Sequence, residues 1–342
     1  MDVQSMPFPE QGNQKNPLIR LQGCSKRFGK HAVLNDVSLD IQEGEIIGII
    51  GLSGSGKTTL LNMLVGLLTP DDGDILYREN KGHSYYSVSR IRHDLTKLTG
   101  FAPQDPSFYR RLTVRENLDH FACLYKIHKE ERKRRIASLL KLVDLQDAGN
   151  TLGRDLSGGM QRRFGISCSL VHNPPILVLD EVTSDLDPVL RKDIWNLIRE
   201  VHSQGRTIIM TSHFHDELDY LCDKVAILHE GTIKAFGTPS ELKEGLTKDF
   251  RVSLQLASGN HEGALKALRK SKFGVSEVHD AQKQLHFSSP DGEKVVPWLL
   301  DYLRKNKEEV IDIHYGRPSL NEVFECIVEE SGKGTAPSSG KQ

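Results

Sequence analysis

Apolar residues recur along this chain in two rhythms. From residue 18 to about 248, short apolar runs alternate with stretches of helical period. Ile46-Ile47-Gly48-Ile49-Ile50 and Ile176-Leu177-Val178-Leu179 read as buried strands, and Thr59–Leu68 reads as a helix. Strands alternating with helices predict an α/β domain with a mainly parallel sheet. Beyond about 250 the rhythm changes. Phe250, Val252, Leu254 and Leu256 alternate with polar residues, as on a half-buried strand. A helical stretch follows around Ala264–Leu268, then strand-like segments near Val275–Val278 and Leu285–Phe287. Val295, Val296, Leu299, Leu300 and Leu303 fall on one helical face, with Pro297 in the first turn. Ile311, Ile313 and Tyr315 alternate again, and Ser319 is positioned to cap a closing helix through Ile327. The order βαββαβ predicts a small α+β domain of ferredoxin-like arrangement over 249–330.

The ends carry few large apolar side chains. Residues 1–17 read as a flexible leader, and the Gly/Ser/Lys-rich stretch 331–342 as a disordered tail. A length of 342 residues agrees with two domains. Lys and Arg number 45 against 46 Asp and Glu, so no bulk basic field argues for a nucleic-acid partner. The longest apolar candidate, Leu60–Leu68, spans nine residues and contains Asn62, too short to cross a bilayer. Met1–Pro17 lacks the apolar core of a secretory signal. Five cysteines lie scattered without a Cys-x-x-Cys pair, which reads as reduced thiols in a cytosolic protein.

Chemistry enters at the end of the first buried strand. Gly51-Leu52-Ser53-Gly54-Ser55-Gly56-Lys57-Thr58 is G-x-x-x-x-G-K-[ST] between a strand and a helix, the context in which this spacing cradles phosphate. Glycines let backbone N–H groups converge on phosphate oxygens, and the helix N-terminus favours an anion. The expected contacts run over Gly51, Ser53, Gly54, Ser55, Gly56, Lys57, Thr58 and Thr59. Lys57 neutralises the outer phosphates, and Thr58 offers a hydroxyl to Mg²⁺. The strand 176–179 ends in Asp180-Glu181. Acids at the carboxyl end of a buried strand stand where such sheets bind ligands. Asp180 is the expected Mg²⁺ ligand, and Glu181 the group that polarises an attacking water.

Between these elements lies Leu156-Ser157-Gly158-Gly159-Met160-Gln161, which resembles the LSGGQ signature of ATP-binding-cassette (ABC) ATPases. The resemblance covers residues 18 to about 245 in order. It implies a P-loop NTPase cassette with a helical subdomain at about 105–172. It further implies that Phe28 stacks on adenine, Gln104 lies at the Q-loop as a metal and catalytic contact, Asp187 lies at the D-loop, and His213 is the switch histidine. Departures are Val182 where a Pro usually follows the catalytic acid, Asp185 where a small residue is common, and Phe28 for the commoner Tyr. In this family two cassettes pair head to tail, so Ser157, Gly158 and Gly159 of one would close on the ATP held by the other. One chain with one phosphate loop and one signature therefore requires a homodimer, or a heterodimer with a sister cassette.

The stretch Leu112–Leu118, the pair Arg162-Arg163, and Pro318-Ser319-Leu320-Asn321-Glu322-Val323-Phe324 resemble cassettes of the antibiotic- and drug-efflux type. This implies an ATPase on the cytoplasmic face of a membrane, working with a separately encoded transmembrane permease subunit. The competing reading is a soluble ABC ATPase of translation, repair or cluster assembly, which the single cassette, the lack of long heptads and the balanced charge disfavour. Two tempting clusters read more simply. His215, Asp216 and Glu217 look like a solvated helix start, and Lys129–Arg135 like an exposed helix face.

Overall fold

The computed structural model describes residues 16–78, 84–246, 249–281 and 284–333. Most of the expected leader and tail falls outside them. The chain divides into two compact units at 239/240, whereas the sequence rhythm puts the change at about 248.

The first unit holds two sheets. β1 (Ile19–Phe28), β2 (His31–Ile41), β4 (Asp72–Arg78) and β5 (Tyr85–Ser87) form an antiparallel sheet in the order β2-β1-β4-β5. Alternation does not mark this sheet as a separate layer, since register shifts along β1 break it. The second sheet contains β3 (Ile46–Ile50), β6 (Thr99–Ala102), β7 (Ile176–Asp180), β8 (Thr207–Thr211), β9 (Lys224–His229) and β10 (Thr232–Gly237), ordered β10-β9-β3-β8-β7-β6. Every neighbouring pair is parallel except β10 with β9. β3, β7 and β8 are buried along their whole length, which explains their unbroken apolar runs.

The helices of this unit are α1 (Lys57–Leu64), α2 (Val88–Leu98), α3 (Val114–Leu124), α4 (Lys129–Leu142), α5 (Gly158–Leu170), α6 (Pro188–Ser203) and α7 (His215–Leu221). α3, α4 and α5 supply the helical stretch expected at 105–172. A capping box between Thr113 and Glu116 starts α3. α7 lies close on β3 because Gly48 has no side chain: a Cβ there would meet Cys222 Sγ and Leu218 Cδ2 at 2.8 Å. Most of Lys129–Arg135 is exposed on α4, as its charge pattern suggested. α8 (Pro239–Leu246) opens at the division between the units.

The second unit contains β11 (Phe250–Leu256), α9 (Glu262–Arg269), β12 (Ser276–Ala281), β13 (Gln284–Ser289), α10 (Gly292–Lys305), β14 (Val310–Gly316) and α11 (Leu320–Lys333). Its antiparallel sheet runs β12-β13-β11-β14. β13 is inserted between β11 and β12, the split βαβ of the ferredoxin-like order. Val252, Leu254, Leu256, Leu285 and Phe287 face a core shared with Ala264, Leu268, Val295, Val296, Leu299 and Leu303. Two details differ from expectation. α10 begins at Gly292, so Pro297 lies in its second turn, on an exposed side. Leu300 is 37% exposed and leaves the apolar face to its neighbours. The Pro-Ser-Leu-Asn-Glu-Val-Phe element opens α11: Ser319 Oγ accepts from the Glu322 N–H at 3.3 Å, Glu322 accepts from the Ser319 N–H at 2.7 Å, and Glu322 also pairs with Arg251 at 2.7 Å.

Among the described residues no helix is long and apolar enough to cross a membrane. The five cysteines are free thiols. Burial pushes Cys24 up to about 11 and raises Cys168 and Cys222 well above the ordinary thiol value, so these three are poor nucleophiles.

Candidate functional site

Three adjacent strands of the parallel sheet deliver the site at their carboxyl ends. β3 runs into the glycine loop, β7 ends at Asp180, and β8, paired with both, leads into Ser212-His213. Residues far apart in sequence are thus set side by side by backbone pairing.

In the loop, Gly54 and Gly56 have φ of 80° and 105°, a region that favours glycine. Gly56 precedes α1 directly, and a Cβ there would strike Leu34 Cδ2 at 2.7 Å. A Cβ on Gly51 would come within 2.4 Å of the Leu228 carbonyl oxygen and of Ser55 Oγ. The chain therefore folds tightly here, and Ser55 N–H donates to the Leu52 carbonyl at 3.1 Å. Ser55 Oγ is buried with no hydrogen-bond partner. An orphan hydroxyl inside a glycine cradle fits a phosphate oxygen arriving there. Lys57 is 7% exposed; its Nζ donates to the carbonyls of Gly51 (2.9 Å) and Leu52 (3.2 Å). Ser53, Gly54 and Thr58 are exposed, and Thr59 is half-buried.

Glu181 is the hub. Its Oε1 lies 3.4 Å from Lys57 Nζ and its Oε2 lies 3.6 Å from His213 Nδ1. Its backbone holds φ 47°, an uncommon value for a residue with a side chain, and its N–H donates to Thr211 Oγ1 at 3.0 Å. The Thr211 hydroxyl in turn donates to Asp180 at 2.6 Å. Thr211 therefore fixes both acids. The sequence held a trace of it, a polar residue closing the apolar run of β8.

Glu217 overturns its expected placement. It is fully buried, not solvated, and its carboxylate accepts from Thr183 Oγ1 (2.8 Å), Trp195 Nε1 (2.7 Å) and the Ser212 hydroxyl. Burial pushes its pKa above the ordinary glutamate value, and these three donors oppose the rise. One carboxylate thus ties the loop after β7, the loop after β8 and α6 together.

Gln104 is exposed, and its backbone carbonyl accepts from Arg162 Nη1. The same guanidinium donates to Ser184 Oγ at 3.2 Å and stands 3.9 Å from Asp185, whose φ is 61°. Arg162 thereby joins the loops at 104 and 184–185. Arg162→Ala is expected to lower kcat by about tenfold, near 1.4 kcal/mol, with the KM for ATP little changed. Steady-state ATPase assays of both proteins check this. Asp187 caps α6, its Oδ1 accepting from Val189 (2.9 Å) and Leu190 (3.0 Å); the carboxylate serves its own helix.

Ser157 caps α5, accepting from the Met160 N–H at 3.4 Å. Ser157 and Gly158 are exposed, and nothing lies within 4 Å of a Cβ built on Gly158. Gly159 is buried, and a Cβ built there would meet Leu190 Cδ1 and Cδ2 at 3.1 Å. The tip of this helix is an open, N–H-rich rim held from behind. Phe28, 50% exposed, ends β1; the hairpin it begins leads to Val33 and Leu34, which touch Gly56. The structure thus brings Lys57, Asp180, Glu181 and His213 together, and leaves Ser157 and Gly158 as a separate exposed surface.

A glycine cradle at the end of one strand and paired acids at the end of another define a P-loop nucleotide hydrolase. The comparisons carry the assignment further. The family model described as ABC transporter matches residues 34–184. The linearmycin resistance ATP-binding protein LnrL of Bacillus subtilis is 30% identical over 308 residues, covering 90% of this chain and 97% of its own length. The daunorubicin resistance ATP-binding protein DrrA3 of Streptomyces coeruleorubidus is 32% identical over 306 residues, covering 90% and 94%. Among solved structures, a dimeric post-hydrolysis ATP-binding cassette holding ADP and phosphate superposes with a TM-score of 0.57 at 26% identity, covering 64% of this chain and 98% of that one. The chain belongs to the ABC transporter family and is an ATP-binding ATPase subunit of a transporter.

Proposed function

We propose that this protein powers an exporter by ATP-driven, head-to-tail dimerisation on the cytoplasmic face of a membrane. The observation that carries the reading is the separation of two half-sites on one chain: the Lys57–Glu181–His213 cluster, and the outward-facing Ser157–Gly158 rim. A nucleotide on the first has an open side, and the rim of a second cassette is the surface of matching chemistry, N–H donors at a helix N-terminus.

In this reading Phe28 stacks on adenine, and the Gly51–Thr59 loop takes the phosphates, which replace the carbonyls and carboxylate now around Lys57. Mg²⁺, held by Thr58, Gln104 and Asp180, would neutralise developing charge on the phosphates. Glu181 accepts a proton from the attacking water while His213 holds the γ-phosphate, so hydrolysis is mainly positioning and charge stabilisation. Asp187 acts indirectly, by fixing where α6 leaves its loop. The second cassette is another copy or a sister chain.

A groove of about 200 Å³ is lined by Leu67, Phe101, Phe121, Tyr125 and His172 beside the loop that carries Gln104. Leu67 is 56% exposed there. An apolar groove next to the Gln104 loop fits the coupling helix of a separately encoded transmembrane permease. Capture of the protein from membranes solubilised in mild detergent should bring down a multi-span protein in near-equal amount. Recovery from the soluble fraction with ribosomes, or with no partner, would replace this reading by a soluble ABC ATPase.

His172 makes a second check on the groove. Its ring stacks on Tyr125 at 3.9 Å, its Nε2 faces the Thr99 carbonyl at 3.2 Å, and burial lowers its pKa to about 4 despite that carbonyl, with Arg135 adding to the fall. The folded state favours the neutral ring, so its contribution is whole above about pH 6.5 and is lost as pH falls from there toward 4. Urea unfolding across this window should show stability falling with acid, and His172→Gln should flatten that slope.

A further inference from the structure

The helices α9 and α10 cover one face of the second unit's sheet. The other face carries an unusual row. By cross-strand register, His279 of β12 pairs with His286 of β13, His286 with Ser253 of β11, and Ser253 with His314 of β14. Three of the chain's 14 histidines therefore stand in line across one sheet, with a serine among them. The adjacent row is Ser276, Ser288, Arg251 and Gly316. Small residues form the floor and larger ones the walls, and the result is a trough of about 750 Å³. That volume is in the range of small-molecule sites.

Its lining is biased in charge and in geometry. Arg251 and Arg317 contribute two guanidiniums, whereas Glu322 is the one carboxylate among the lining residues, and it is engaged by Arg251 and Ser319. Arg317 is itself paired with Glu244, and His314 with Asp312 at 2.9 Å. His286 and His314 flank Ser253 on either side, at one strand spacing each, so their backbones lie about 9.5 Å apart. An oxyanion above the serine hydroxyl, with hydrogen bonds of about 2.8 Å on both sides, spans roughly 8 Å. The His279 and His286 rings are nearly parallel, 5.2 Å between centroids, and give one wall a flat surface. Among the described residues no group of three or more His, Cys, Asp or Glu has the arrangement to hold a metal ion. The donors are spread for an anion rather than gathered for a cation.

We propose that this trough binds a small oxyanionic molecule through a phosphate or carboxylate group seated over Ser253 between His286 and His314, with Arg251 beside it. The site is in the second unit and is independent of the phosphate loop at Lys57. The ligand-binding role it gives that unit does not depend on the exporter reading.

The test uses the full-length protein with isotope-labelled histidines, saturated with Mg-ADP so that the phosphate loop is filled. Inorganic phosphate and citrate are added in separate titrations, and imidazole resonances are followed. Saturable movement of the His286 and His314 signals is expected with at least one probe. Phosphate alone would indicate a phosphate ligand, and citrate alone a carboxylate ligand. Ser253→Val, a change that suits a strand, and His314→Gln, on an exposed edge, should each weaken the effect by about tenfold. Resonances that move without saturating up to tens of millimolar with both probes, or that saturate identically in the two variants, overturn the proposal.

Discussion

Glu181→Gln is expected to leave ATP binding intact and to cut single-turnover hydrolysis by about 10²–10³, equivalent to roughly 2.7–4 kcal/mol of transition-state stabilisation. The amide keeps the size and shape of the side chain but cannot take a proton from water. Lys57 at 3.4 Å and His213 at 3.6 Å lose the charge they both face, without losing a neighbour. Backbone geometry should survive, because φ 47° is held by Thr211, not by the carboxylate. Quenched-flow measurement of phosphate release, with nucleotide binding measured beside it, separates the two effects. Near-normal hydrolysis in this variant would remove Glu181 from the mechanism.

The second large effect is predicted at Glu217, which is placed to touch no nucleotide. Glu217→Ala leaves the Thr183, Ser212 and Trp195 donors in a buried space without their acceptor. At about 1–3 kcal/mol for each stranded buried group, with partial relaxation, the loss should reach about 3–5 kcal/mol. For a unit of this size that corresponds to a fall in melting temperature on the order of 10 °C. Catalysis should suffer more than folding alone predicts, since Ser212 adjoins His213 and Thr183 follows Glu181 by two residues. Glu217→Gln keeps one acceptor oxygen, and the hydroxyls can rotate to meet its amide. It should therefore unfold close to the unsubstituted protein, yet show reduced kcat. Calorimetry together with ATPase rates at a temperature where both variants are folded distinguishes the two.

What the sequence revealed and what it hid follow from how far each feature reaches along the chain. The phosphate loop is local: strand, glycines, lysine and helix are continuous from Ile46 to Leu64, so spacing alone is enough to find it. Ser319 is legible for the same reason, a cap being a contact between residues three apart. Glu217 is the opposite case. Its partners come from positions 5, 22 and 34 residues away on separate elements, while its immediate neighbours are as polar as any exposed helix start. The antiparallel β2-β1-β4-β5 sheet was hidden by the register shifts that interrupt alternation. The His279–His286–Ser253–His314 row exists only through strand pairing, and no reading along a single strand brings those residues together.

The position of β8 between β3 and β7 also sets a timetable for the newborn protein. β3 pairs with β8 from Ile46–Ile208 to Ile49–Thr211, so this apolar strand leaves the ribosome long before the partner that covers one of its sides. At synthesis rates of about 5–20 residues per second, the wait is on the order of ten seconds or more. During that interval the chain carries a complete phosphate loop on an unpaired strand, and the histidine that follows β8 has yet to be made. Hydrolytic competence is therefore a late property of biogenesis, and the waiting strand is a natural client for chaperones.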